Sequence, residues 1–467
     1  MLAPSALELL LARGAEAAGG TAATVHAFHS RPDLRPPVVE IVHAAHDTAG
    51  GYLFVSPSSG PGQRGVLMLD NAGEVVWFHS TAPSTAMNFR AQTYRGEPVL
   101  TWWEGKSEHG LGVGECVIVD RGYREVKRFR AGHGRPADLH EFLLTPRDTA
   151  LVTATETRTL DLRAIGGGAR HTVVGSVVQE IDVATGRVLL DWRSLDHVPV
   201  AESHQKIGPR FDYFHANSIA LDSDGDLVVS ARNTWAVYKL DRHTGAIVWR
   251  LGGKKSDFAM GKGTFFAWQH DARAHDRGTM ISLFDDAGAP FEEPQSRGLE
   301  IRLDLQRMRA TLEHAYVHQP RMRAKYTGSM QVLGNGDALV GWGSERYFTE
   351  FARDGSVRLD ARLPPGGQTY RALRFEWSGN PVGEPTAVAG RGMTGPVLYA
   401  SWNGATAVSH WRLLSGPDAS RLQPAAAVPR TGFETTLEGG AAGGYAAAAA
   451  LDASGREVGR SKTIALG

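Results

Sequence analysis

Three histidines stand where chemistry could be done. His215 lies in DYFHANSIA (residues 212–220), with Asn217 two residues on and therefore on the same face if the segment is extended. His140 lies in LHEF and His270 in QHDAR. An imidazole titrates near neutral pH and can act as acid, base or nucleophile. Arg232, in SAR, adds a permanent forked cation suited to an anion. Taken alone, each histidine at a strand end reads as structural. Whether they act together depends on the elements that carry them.

Those elements repeat. One unit, strand–turn–strand, recurs as HEFLLTPRDTALVTAT, HANSIALDSDGDLVVSAR, HDARAHDRGTMISLFD and SMQVLGNGDALVGWG, and FRAQTYRGEPVLTWWE fits the same frame. Hairpins of a second kind alternate with it, among them GVLMLDNAGEVVWF and WAVYKLDRHTGAIVWRL. β-branched and aromatic residues on the strands and Asp-Gly, Asn-Gly and Thr-Gly at the turns favour strands over helices. Two hairpins per repeat make a four-stranded antiparallel meander. The spacing predicts an all-β fold, a six-bladed β-propeller over 37–378 closed by GYLFVSP (51–57) and TYRALRFEW (369–377). After a Gly- and Pro-rich linker, short alternating strands predict a fibronectin type III-like β-sandwich over 379–467, with an accessory role, and 1–36 remains an N-terminal segment.

In a propeller, a residue opening the first strand of a blade and one ending the second share a channel mouth. The repeat frame therefore puts His140, His215 and His270 at equivalent places in three consecutive blades, with Ser329 in the next and Asn88 and Arg90 in the first. Second-strand ends bring Glu104, Glu156, Arg232, Asp285 and Ser344 to the same polar funnel. Aromatic walls are expected from among Phe89, Trp102, Trp103, Phe214, Phe266, Trp268, Trp342 and Tyr347, two or three of them facing a ligand and the rest packing between blades.

Composition narrows the partners. Lys plus Arg and Asp plus Glu are 50 each, so no net field recruits nucleic acid or an anionic membrane, and a small ligand is the default. The single cysteine, Cys116, excludes a disulfide framework and a thiolate-rich zinc site. DSDGD resembles the start of a calcium loop, but the other repeats place plain hairpin turns there and the later glutamate is absent. LGGKK lacks the rest of a phosphate-binding pattern. His26, His29, His43, His46, His109, His133 and His410 have no metal spacing, so neither metal nor cofactor is expected. The run MLAPSALELLLARGAEAAGG carries Glu8 and has no basic residue ahead of its apolar stretch, which makes a poor secretion leader. The expectation is a soluble protein, a monomer or weak homo-oligomer, cytoplasmic unless a leader has been removed.

LHEF, FHANSI with SAR, QHDAR with SLFDD, and MQVLGNGDALVGWG occur in an order that resembles the arylsulfotransferase family, in its actinobacterial and fungal branch, over roughly 50–377. YASWNGAT and RTGFET beyond it resemble the same branch, and Ser329 stands where that branch would have Asn. The resemblance implies a six-bladed propeller that moves a sulfuryl group from an aryl sulfate donor to a phenolic acceptor without a nucleotide. It implies a covalent sulfohistidine at His270, with sulfate contacts from His140, His215, Asn217 and Arg232. A neutral imidazole would attack sulfur, Arg232 would neutralise the equatorial oxygens, and His140 or His215 would exchange the phenolic proton. Two other readings keep the fold: a hydrolase, lyase or cyclase using the histidines only as acid and base, and a non-catalytic anion-binding propeller.

Overall fold

The computed structural model describes residues 24–288, 290–393, 395–439 and 443–466; the leader-like run at 1–20 lies outside the described residues. The chain is all-β. Between Glu40 and Phe375 the described residues form six sheets in succession, each built on four antiparallel strands, the third and fifth carrying a short parallel strand in addition. The first combines Tyr52–Ser59, Gly65–Leu69 and Val75–Ser80 with the late strand Gln368–Phe375, which pairs antiparallel with Tyr52–Ser59 so that Tyr52 faces Phe375 and Phe54 faces Leu373. The two ends of the repeat region are thus joined in one sheet.

Period-two patterning explains why these strands hold together face to face. On Tyr52–Ser59 and its neighbour, Leu53, Val55 and Leu67 pack toward the sixth sheet with Leu339, Phe348 and Leu359. The alternate residues Phe54 and Met68 pack toward the second sheet with Phe89, Leu100 and Trp102. Strands buried on both faces therefore read as nearly continuous apolar runs. The same arrangement fills the space between second and third sheets (Trp103, Phe142, Val152), third and fourth (Leu151, Phe214, Val229), fourth and fifth (Val228, Leu251, Leu283), and fifth and sixth (Phe284, Met330, Trp342). The apolar contacts form a closed cycle. Cys116 is buried in the layer between the second and third sheets.

Turn chemistry sets the meander. In DSDGD the chain reverses with Gly225 at φ +90°, a conformation that disfavours a Cβ, while the Asp222 amide donates to the Asp226 carbonyl at 2.8 Å. Lys239 on the adjacent strand holds Asp222 at 2.8 Å and also pairs with Asp224, so these carboxylates serve a hairpin.

Beyond residue 385 two smaller sheets face each other. Thr386–Arg391, Pro396–Ser401 and Glu434–Glu438 form one. His410–Gly416, Gln423–Pro429, Tyr445–Leu451, Glu457–Arg460 and Ile464–Ala465 form the other. The alanines of YAAAAAL, poor strand formers by propensity, are buried here against Leu398, Trp411 and Leu437, so packing overrides propensity. This unit docks on the first two sheets, where the Asn403 side chain bonds both the N–H and the carbonyl of Phe78 and the Tyr123 hydroxyl donates to the Gly404 carbonyl at 2.8 Å. Among the described residues, no helix is long and apolar enough to cross a membrane.

Candidate active site

The innermost strand of each of the six sheets faces the axis, and the entries to these strands shape the site. In the second, fourth and fifth sheets the register breaks near the start of the inner strand, between Met87 and Arg90, Ala216 and Ser218, and His270 and Arg273. Such irregularities leave residues in the left-handed region: Asn88 at φ +60°, His215 at +59° and Asp271 at +56°. These are residue types that tolerate it. A bulge re-aims the side chains beside it. Here His140, two residues before Phe142–Leu144, His215, immediately before Ala216–Leu221, and His270, which opens His270–His275, all line one cavity of about 550 Å³.

Each imidazole is anchored by a carboxylate at Nδ1. His140 bonds Asp138 at 2.5 Å, His215 bonds Asp212 at 2.5 Å, and His270 bonds Asp286 at 2.7 Å. With Nδ1–H donated to an aspartate, Nε2 is the nitrogen left for chemistry. The Nε2 atoms of His140 and His215 lie 3.1 Å apart, with the rings edge to face at 4.5 Å. Two bare lone pairs would repel at that distance, and a proton placed between the two nitrogens would bond both.

His270 is buried, and burial, followed by the charges of Arg232, His140, His215 and Arg371, holds it well below the ordinary imidazole value. Burial pushes Asp286 well up, offset in part by Arg232. The form of this pair able to attack is the one with a single proton held on Nδ1, which leaves Nε2 free. Burial also lowers His140, against the pull of Asp138.

Arg232 follows the strand Leu227–Ala231 and lines the same cavity. Its guanidinium donates to Asn233 Oδ1 at 3.0 Å and to the Lys325 carbonyl at 3.3 Å, and lies 4.7 Å from the Trp268 ring centroid. Trp268 thus supports Arg232 from behind and donates to the Pro290 carbonyl at 3.1 Å; it is not itself part of the cavity wall.

Several expected contacts fall elsewhere. Asn217 is fully buried, its amide donating to the Gln269 carbonyl at 2.6 Å, and it does not line the cavity. Asn88 donates to the Leu139 carbonyl at 2.8 Å and accepts from Arg371 at 2.5 Å. Arg90 pairs with Glu141 at 3.2 Å and opens to clefts away from the histidines. Trp342 is enclosed between the fifth and sixth sheets, its indole N–H on Thr349. The physical reason is shared. The alternation that fills both faces of each strand uses these side chains as packing or as cross-links before the cavity is reached. Glu156 and Asp285 are likewise paired with Arg158 at 2.8 Å and Arg297 at 2.6 Å, outside the cavity. None of the eight aromatic residues expected at the mouth lines it; Tyr326 and Tyr370 do.

The three aspartates and Tyr370 went unread in the sequence. Asp138 and Asp212 precede their histidines by two and three residues, so an acid close to these two imidazoles was a usable signal; Asp286, which ends the quoted SLFDD, is sixteen residues from His270 and only the fold brings it near. Tyr370 comes from the closing strand, which only the ring brings to the axis.

A six-sheet all-β scaffold with buried, carboxylate-held histidines and an arginine at one cavity defines a class of site suited to group transfer from an anion. A family model described as Arylsulfotransferase (ASST) matches residues 90–363, more than half of the chain, and the chain belongs to that family. No curated protein matches it. Solved structures similar to it include a protein of unknown function from Bacteroides caccae (14% identity, TM-score 0.42, covering 69% of this chain and 98% of that one). A virginiamycin B lyase from Staphylococcus aureus (8%, 0.36, 78% and 96%) and a protein from Lactobacillus plantarum (15%, 0.37, 83% and 99%) are also similar. These likenesses are too weak to bear on its chemistry.

Proposed function

We propose that the protein is an aryl sulfate:phenol sulfotransferase working by ping-pong transfer through His270, without a nucleotide. The observation that carries this reading is the meeting, in one cavity of an arylsulfotransferase family member, of His270 with the closely facing His140–His215 pair and Arg232. We read the closed cycle of six sheets, spanning 37–378, as a six-bladed β-propeller, and 379–467 as a fibronectin type III-like accessory unit. The motifs favour the actinobacterial and fungal branch.

In the first half-reaction the Nε2 lone pair of His270 attacks the donor sulfur, an N–S bond forms and the S–O(aryl) bond breaks. Arg232 and the cationic His140–His215 pair offset charge on the three equatorial oxygens. The departing phenolate takes the proton bridging His140 and His215. That leaves two neutral nitrogens facing each other at 3.1 Å, an arrangement that favours regaining a proton. The acceptor phenol supplies it as its oxygen attacks sulfur, the N–S bond breaks and neutral His270 returns. The cavity of about 550 Å³ suits an aryl group, and Tyr370 and Tyr326 offer it aromatic surface.

Steady-state kinetics with a chromogenic aryl sulfate and a varied phenol test the order of events. Parallel double-reciprocal lines and acceptor-dependent release of the coloured phenol are expected. Intersecting lines would contradict a covalent half-way state, and acceptor-independent release would point to hydrolysis.

A further inference from the structure

Directly beneath the three imidazoles lies a guanidinium that the reaction scheme does not use. Arg371 sits on the closing strand Gln368–Phe375 and is almost wholly buried. Its Nη1 donates to Asn88 Oδ1 at 2.5 Å and to Glu141 at 3.1 Å. Its Nη2 donates to the backbone carbonyls of His140 at 3.2 Å and Asn217 at 2.9 Å, and its Nε lies 3.3 Å from Asp271. Asn88 belongs to the second sheet, His140 and Glu141 to the third, Asn217 to the fourth and Asp271 to the fifth. One side chain from the first sheet therefore grips four others at the axis. The neighbouring Tyr370 hydroxyl meets the same two carbonyls, of His140 and Asn217, at 3.2 Å each.

We propose that Arg371 is a positioning residue for sulfuryl transfer, a planar cross-link that fixes the backbones carrying His140, His215 and His270 relative to one another and keeps a positive charge under the cavity. The inference rests on the reading of His270 as the attacking group. Two carboxylates, Glu141 and Asp271, serve three guanidiniums here: Arg273 bonds both, at 2.6 and 2.5 Å, Arg90 pairs with Glu141 at 3.2 Å, and Arg371 bonds Glu141 at 3.1 Å while its Nε, which makes no hydrogen bond among the described residues, lies 3.3 Å from Asp271. The cluster thus retains one formal positive charge. Asp271 adjoins His270 and Asn217 lies two residues from His215, so a shift in the hub moves the ends of the transfer path. A planar fork whose two Nη groups reach Asn88, Glu141 and two carbonyls spans these acceptors, and a lysine ammonium cannot.

Geometry and charge separate in two variants, each compared with wild type for fold by near-UV circular dichroism. Arg371→Met loses both; its kcat is expected to fall about 10²-fold or more, as for misplacement of reacting groups by an ångström. The groups facing His270 are Asp286, Arg232, His140, His215, Tyr370 and Arg371. Removing one cation from that set makes the His270–Asp286 dyad easier to protonate. The acid limb of the kcat–pH profile should therefore move to higher pH in Arg371→Met. Arg371→Lys keeps the charge and loses the fork, so its limb should stay near wild type while kcat remains at least tenfold down. A merely structural role would lower the folded fraction and leave the limb in place. Folded Arg371→Lys with wild-type kcat, or folded Arg371→Met with an unmoved limb, overturns the proposal. If neither folds, Asn88→Ala, which removes one acceptor from the guanidinium, decides: kcat lowered several-fold at unchanged KM supports it, and wild-type kcat overturns it. Absence of transfer by the wild type would instead sink the functional reading itself.

Discussion

An imidazole attacks through whichever nitrogen carries no proton, so the partner at Nδ1 decides whether His270 can act at all. Asp286 lies 2.7 Å from Nδ1, and as a carboxylate it accepts the proton there and leaves Nε2 bare. An asparagine at 286 can donate to Nδ1, forcing the proton to Nε2 and blocking attack. Asp286→Asn should lower kcat by roughly 10²- to 10⁴-fold, the scale of tautomer and proton-transfer effects, with little change in KM. Wild-type kcat in that variant would show that the dyad is not needed. At this scale the sequence was legible where the repeat frame applied: His140, His215, His270 and Arg232 do share a cavity. It was not legible for Asn217, Asn88, Trp268 and Trp342, because spacing tells which face of a strand a residue takes but not whether a neighbouring carbonyl or sheet claims it first.

The element that completes the cavity is the strand Gln368–Phe375. It supplies Tyr370 to the cavity wall and Arg371 to the axis, and Arg374 to a buried pair with Glu350 of the sixth sheet at 2.7 Å. Arg374 also donates to Asn71 Oδ1 at 2.8 Å and to the Gly51 carbonyl at 3.2 Å, joining last sheet to first. Breaking a buried pair by removing one partner strands the other charge, at a cost of about 3–5 kcal/mol. Arg374→Met should therefore lower the unfolding free energy by an amount of that order, read as a lower denaturant midpoint. A midpoint within error of wild type would show that this pair does not secure closure. The meeting of Tyr52–Ser59 with Gln368–Phe375 was readable because the two segments were the unpaired ends of the repeat. The bulges that re-aim inner-strand residues were not, since no glycine marks them: Asn88, His215 and Asp271 adopt the left-handed conformation themselves.

Across the whole molecule, the described N-terminal residues tie the C-terminal unit to the ring. Glu434 accepts from the backbone N–H groups of His29 at 3.2 Å and Ser30 at 2.6 Å, and from the Ser30 hydroxyl at 2.5 Å; it also contacts His29 Nδ1 at 3.1 Å. Phe28 stacks near Phe433, with centroids 4.2 Å apart. Glu434→Ala leaves several donors without a partner and should cost about 1–3 kcal/mol, read as a lower denaturation midpoint. Transfer activity should be unaffected, because none of these groups lines the cavity. A large loss of activity at unchanged stability would show instead that the C-terminal unit takes part in catalysis. The change of character after Trp377 was visible as a Gly- and Pro-rich stretch, whereas the strap was not, since an N-terminal segment without repeat or period gives no sign of what it will pack against.

The central claim is that His270 carries the sulfuryl group between substrates. Intact-protein mass spectrometry after exposure to an aryl sulfate, with no acceptor present, measures this directly. The wild type should gain the mass of a single sulfuryl group, stable to base, lost in acid and discharged by added phenol, and His270→Ala should gain none. Equal labelling of both proteins, or turnover by the wild type with no labelled species at any time, would contradict it.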